Sequence, residues 1–113
     1  MSYDSIFKPD LFQNKLVVVT GGGSGIGRCT AHELAALGAT VVITGRQAEK
    51  LENVATEIES DGGAVDFLAF DIRDGVAVAD KVDEILRRHG KIDGLVNNAG
   101  GQFPARLEDI SQN

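Results

Sequence analysis

Five glycines, at positions 21, 22, 23, 25 and 27, crowd a turn between an apolar run, Leu16 to Val19, and a segment of helical periodicity. Glycine has no Cβ and tolerates positive φ, so backbone there can approach a ligand closely. A helix starting just after such a turn aims its unpaired N–H groups and its dipole at the same place, which favours an anion, most often a phosphate. The stretch LVVVTGGGSGIG carries the glycines as G-x-x-x-G-x-G, from Gly21, Gly25 and Gly27, with Thr20 in front. This is not G-x-G-x-x-G, and no Lys-Ser/Thr pair follows, which excludes a P-loop. A plain strand–helix turn could also hold such a cluster. Its place inside a strand–turn–helix–strand unit points to nucleotide binding.

Other polar residues fall at the ends of later apolar runs. Gly45 and Arg46 follow Thr40–Thr44. A dinucleotide site that takes NAD usually places an acid there for the ribose hydroxyls, whereas an NADP site offers arginine. Here the acid is missing, and a guanidinium can grip a 2′-phosphate with two hydrogen bonds. Arg46 also suits a solvated helix start, so the missing acid is the stronger half of the argument. Asp71 falls where the rim of an adenine pocket would lie, although a turn residue would look the same. Asp74 fits better as the cap of the next helix. Of Asn97 and Asn98, one could tie neighbouring strands while the other faces the ligand. His32 and His89 lack metal-ligand spacing to any Cys, Asp or Glu cluster and suit a surface or core edge. Cys29, on the first helix, suits packing against the sheet.

Seven elements must position these residues. Strands are expected over Leu16–Thr20, Thr40–Thr44, Val65–Phe70 and Ile92–Val96. Helices are expected over Gly25–Leu37, Ala48–Ser60 and Gly75–His89. In the first helix Ile26, Thr30, Leu34 and Leu37 recur at helical spacing, Ala31, Ala35 and Ala36 permit close packing, and Gly38 ends it. In the second, Leu51, Val54, Ala55 and Ile58 form the stripe. In the third, Val78, Val82, Ile85, Leu86 and His89 share a face, with Asp83–Arg87 and Glu84–Arg88 as acid-before-base pairs. Strands alternating with helices give an α/β fold with a parallel sheet and right-handed crossovers. Ligands then sit beyond the carboxyl ends of the strands, where these polar residues cluster. Residues 1–15 read as an irregular arm anchored by Ile6, Phe7, Leu11 and Phe12, on the domain or on a partner subunit. Residues 16–113 read as one domain.

Composition narrows the class. The 113 residues hold 17 acids against 11 bases, a net charge of −6, which disfavours nucleic acid as a partner. One cysteine permits no internal disulfide, and no metal site is expected. There is no signal-peptide pattern and no apolar run of membrane-spanning length, so a cytoplasmic location is expected.

Taken together, Thr20-Gly21-x-x-x-Gly25-Ile26-Gly27, Asp71 and Asn97-Asn98-Ala99-Gly100 resemble the short-chain dehydrogenase/reductase family from Leu16 to Gly101. The resemblance implies a Rossmann-type doubly wound parallel sheet, here truncated after the fourth strand, and an NADP-dependent oxidoreductase, with NAD less favoured. It implies that Gly21, Ser24, Gly25, Ile26 and Gly27 surround the pyrophosphate and adenosine ribose, and that Arg46 meets the 2′-phosphate. Asp71 with Ile72 would frame the adenine, and Asn97, Asn98, Ala99 and Gly100 the floor under the second ribose. Asn97–Phe103 with Thr44-Gly45-Arg46 is also similar to peroxisomal trans-2-enoyl-CoA reductases and their bacterial relatives. That implies a small-molecule substrate of acyl-CoA or lipid-like type.

The family's catalytic Ser, Tyr-x-x-x-Lys pair and helix Asn lie downstream of the Asn-Asn-Ala-Gly motif, and this chain stops at Asn113. Tyr3, the only tyrosine, has no lysine four residues on. The expectation is therefore a cofactor-binding part with no catalytic residue of its own. The alternative is a non-catalytic dinucleotide-binding module or subunit. An open, apolar fourth strand would invite pairing with another copy, so a homo-oligomer is expected. A methyltransferase-like domain would carry an acid after the second strand, and Gly45-Arg46 argues against it.

Overall fold

The computed structural model describes residues 5–98. Ala99, Gly100 and Tyr3 lie outside the described residues. The elements, in chain order, are β1 (Leu16–Thr20), α1 (Gly25–Ala36), β2 (Thr40–Gly45), α2 (Ala48–Ser60), β3 (Ala64–Ala69), α3 (Gly75–His89) and β4 (Gly94–Asn97). The strands form one parallel sheet in the order β3-β2-β1-β4. The step from β3 across to β4 on the far side of β1 is the order reversal that opens a crevice at the strands' carboxyl ends.

Strand pleat divides the core in two. Val17, Val19, Val41 and Ile43 point to one face, where Ala31 and Ala35 of α1 and Leu51, Val54 and Ile58 of α2 pack on them. Leu16, Val18, Val42 and Leu68 point to the other face and meet Ile85 of α3. Burial on both sides explains why β1 and β2 read as unbroken apolar runs.

The α2 stripe is buried as expected, from Leu51 to Ile58. On α1 the expected packing holds at Ala31, Ala35 and Leu37, which are buried, and at Leu34, which packs on the first core cluster, but not at Ile26. Gly27, Ala31 and Ala35 are buried, whereas Ile26 is 74% exposed. At the start of the helix the inward position is taken by Gly27, packed against Gly21 O. Cys29 is likewise exposed, not packed on the sheet. Helix α1 closes on Leu37 and Gly38, with Gly38 N–H donating to Ala35 O and Ala39 N–H to Leu34 O, a Schellman ending.

On α3 only Ile85 is buried, while Val82 and Leu86 are exposed. Ion pairs hold its end to β3: Asp66 accepts from Arg88 at 2.9 Å and lies 3.0 Å from His89 Nε2. Burial pushes the Asp66 carboxyl up, but these hydrogen bonds outweigh it and hold the group below its ordinary range. Glu84–Arg88 forms, whereas Asp83–Arg87 does not among the described residues.

Strand β4 begins two residues later than expected, for a local reason. Asp93 N–H donates to Leu16 O at 2.8 Å, and the Asp93 carboxylate accepts from Leu16 N–H at 2.7 Å. A side chain takes the place of a backbone rung, and regular pairing starts with Gly94 opposite Val17. Of the arm's four apolar residues, Phe12 anchors: its side chain packs on the first core cluster and its N–H donates to Leu37 O. Ile6, Phe7 and Leu11 are exposed. Among the described residues, no helix is long and apolar enough to cross a membrane.

Glu57 joins α2 to α1. It receives a two-point hydrogen bond from Arg28, at 2.9 and 2.6 Å, and lies 2.9 Å from His32 Nε2. The Arg28 fork, then His32, lower its pKa from 4.5 to about 2. A depressed carboxylate stabilises the fold above its unfolded pKa and loses that contribution as pH falls through the folded value. Glu57→Gln should therefore reduce stability at neutral pH and flatten the acid limb between about pH 5 and pH 2, as read by urea denaturation across pH.

Candidate dinucleotide groove

The carboxyl ends of the strands lie side by side: Thr20 pairs with Thr44 on one flank and Asn97 on the other, and Gly45 pairs with Ala69. The glycine turn is fixed to this edge. Gly21 and Gly22 both donate to Thr44 O, at 2.8 and 3.2 Å. Gly21 and Gly25 have φ of 69° and 58°, values that cost an L-residue about 1–2 kcal/mol. A Cβ at Gly25 would meet no described atom within 4 Å, so backbone there faces open space among the described residues.

The first turn of α1 is left uncapped. Ser24 is its N-cap residue, but the Ser24 side chain makes no capping bond, and no acid lies in the first turn. Ser24 and Ile26 are exposed at the same mouth. On α3, by contrast, Asp74 Oδ1 accepts from Val76 N–H and Ala77 N–H, as the sequence suggests. Free N–H donors, open space above glycine backbone and a helix dipole together form a cradle that fits a phosphate group.

Gly27 brings α1 against the turn. A Cβ there would lie 2.1 Å from Gly21 O and 2.8 Å from Asn98 Nδ2. The Asn98 side-chain amide thus reaches the base of the glycine turn. Asn97 is tied to β1: the Thr20 hydroxyl lies 3.1 Å from Asn97 Oδ1 and 3.3 Å from Val96 O, and it accepts from Asn98 N–H at 2.8 Å. One asparagine side chain braces two strands while the other reaches the turn, the division of labour their chemistry allows. Thr44 Oγ1, buried at the same edge, has no hydrogen-bond partner among the described residues.

Arg46 is exposed beside Gly45 at the end of β2, and Phe70 N–H donates to Gly45 O at 2.8 Å. This bond carries the β3 exit, and with it Asp71 and Ile72, to the Arg46 side of the groove. Asp71 accepts from the Arg73 side chain and from Arg73 N–H. Those bonds, with a smaller contribution from the Arg46 charge, lower its pKa from 3.8 to about 2. The Asp71 carboxylate therefore belongs to a turn and to the groove rim at once.

Gly21, Ser24, Gly25, Ile26, Gly27, Arg46, Asp71, Ile72, Asn97 and Asn98 thus all lie along one edge. Sequence reasoning passed over Arg73 and Asp93. The Asp-x-Arg spacing just past a strand was a usable signal for the first, and an acid one residue before a strand for the second.

The sequence model of the family described as short chain dehydrogenase matches residues 15–113. A citronellol catabolism dehydrogenase (AtuB) of Pseudomonas aeruginosa is 61% identical, with a TM-score of 0.85 over 97% of this chain and 45% of its own. A metagenomic short-chain oxidoreductase solved in complex with NADP is 40% identical, with a TM-score of 0.78 over 89% of this chain and 46% of its own. A peroxisomal 2,4-dienoyl-CoA reductase of Danio rerio is 37% identical over 112 residues, 98% of this chain and 37% of that protein. The chain spans less than half the length of each of these three relatives.

Proposed function

The chain belongs to the short chain dehydrogenase family, and from that premise we propose that it supplies the cofactor-binding part of an NADP(H)-dependent oxidoreductase. When bound, the nicotinamide ring gives or takes the hydride exchanged with a carbonyl, hydroxyl or enoyl carbon of a small-molecule substrate. The chain's own residues bind and orient. Gly21, Ser24, Gly25, Ile26 and Gly27 receive the pyrophosphate on the uncapped first turn of α1. Arg46 grips the 2′-phosphate, and Gly45 withholds the carboxylate that would repel it. Asp71 accepts from the adenine amino group, with Ile72 against the base. Asn97 and Asn98 form the floor toward the second ribose, and Ala99 and Gly100, outside the described residues, are proposed to extend it.

The observation that carries this reading is the pairing of an uncapped helix start with Arg46 on one sheet edge. The NADP-bound relative supports the cofactor, and the dienoyl-CoA reductase supports a thioester of an unsaturated acid as the substrate class. A cytoplasmic location and a homo-oligomeric assembly are parts of the same proposal. To test it, the whole enzyme of which this chain is proposed to be the cofactor-binding part is mixed with NADPH and either an enoyl thioester or an unsaturated aldehyde, and the loss of reduced-nicotinamide absorbance is followed. Turnover of one of these substrates is the expected result. Tight NADPH binding with no turnover of any carbonyl, alcohol or enoyl compound would favour the non-catalytic binding module instead.

A further inference from the structure

Arg73 is 73% exposed, yet its side chain is held. Its Nε lies 3.1 and 3.2 Å from the two carboxylate oxygens of Asp71, its Nη2 lies 2.9 Å from Oδ2, and its own N–H donates to Oδ1 at 2.9 Å. One residue therefore grips the carboxylate from the backbone and from the tip of its side chain. A two-point guanidinium fork fixes the plane of a carboxylate, which a point charge does not. Asp71 lies two residues past the end of β3, next to Phe70, whose N–H is tied to Gly45 O, so its position along the groove is set by the sheet.

A carboxylate offers about four acceptor directions. Arg73 fills both acceptor directions of Oδ1 with its N–H and Nε and one of Oδ2 with Nη2, and acceptor capacity remains at Oδ2. We propose that Arg73 is the positioning residue for base recognition: it does not touch the dinucleotide, but turns Asp71 so that its free acceptor meets the adenine amino group. This rests on the reading of Asp71 as the adenine partner. The competing use of Arg73, as a second cation for the 2′-phosphate, conflicts with the fork that Asp71 already engages.

The test uses the intact protein, with NADPH and the hypoxanthine analogue of NADPH, whose base lacks the amino donor. Affinities are read by calorimetry for the wild type, Arg73→Gln and Arg73→Lys. The wild type should bind NADPH about tenfold tighter than the analogue, the scale of a hydrogen bond to a charged group. Arg73→Gln should weaken NADPH by a similar factor and leave the analogue unchanged. Arg73→Lys should recover less than half of the loss on a logarithmic scale, because it restores charge but not the fork. An equal loss for both cofactors, full rescue by lysine, or no loss in Arg73→Gln would overturn the positioning role. If instead the wild type binds both cofactors equally, the Asp71–adenine reading itself fails, and that outcome is distinct from the others.

Discussion

Gly27→Ala should lower the stability of the fold by about 3 kcal/mol, the upper end of what overpacking costs. The added methyl would lie 2.1 Å from Gly21 O and 2.8 Å from Gly21 C, both backbone atoms. Gly21 cannot retreat, because its N–H is bonded to Thr44 O at the end of β2. The only relief is to push α1 off the turn, which also displaces Ala31 and Ala35 from the first core cluster. A thermal melt should show the midpoint falling by more than about 10 °C, and NADPH binding should be lost with it. Gly25→Ala is the matched control. Its methyl meets no described atom, so it bears only the strain of φ 58°, about 1–2 kcal/mol. It should keep the fold and lose affinity, because the methyl fills the space proposed for the pyrophosphate.

Gly45→Asp should reverse the cofactor preference. A Cβ at Gly45 would come no closer than 3.4 Å to Leu51, an ordinary contact, so the sheet accepts the change. The new carboxylate would stand beside Arg46 at the end of β2. It would pair with that guanidinium, repel a 2′-phosphate and offer acceptors to a free ribose hydroxyl. The expected outcome is a fall in NADPH affinity of about 100-fold, with NADH binding several-fold tighter, as two charge-assisted hydrogen bonds are removed and a repulsion added. Parallel titrations of the two cofactors would measure both changes.

The order of elements was legible from periodicity alone, because strands buried on both faces and a strongly amphipathic α2 leave unambiguous patterns. The first turn of α1 was not. Ile26 satisfied helical spacing as well as Gly27 did, and only the close approach of α1 to Gly21 decides which of the two faces inward. The start of β4 was hidden because Asp93 completes the ladder with its side chain, a bond between residues 77 positions apart. The residues proposed for the groove stood out because glycine, arginine and asparagine at strand ends have few structural uses there. Arg73 was not, since its role depends on where Asp71 points, which no spacing rule conveys. Cys29 looked apolar enough for the core but falls on the outer face of α1.

The central claim is that this edge of the sheet is an NADP site, and direct titration of the intact protein with NADPH and then NADH tests it most directly. The account predicts saturable one-to-one binding of NADPH, at least about tenfold tighter than NADH, the scale of one charge-assisted contact at Arg46. Equal affinity for the two, or binding of neither, would contradict it.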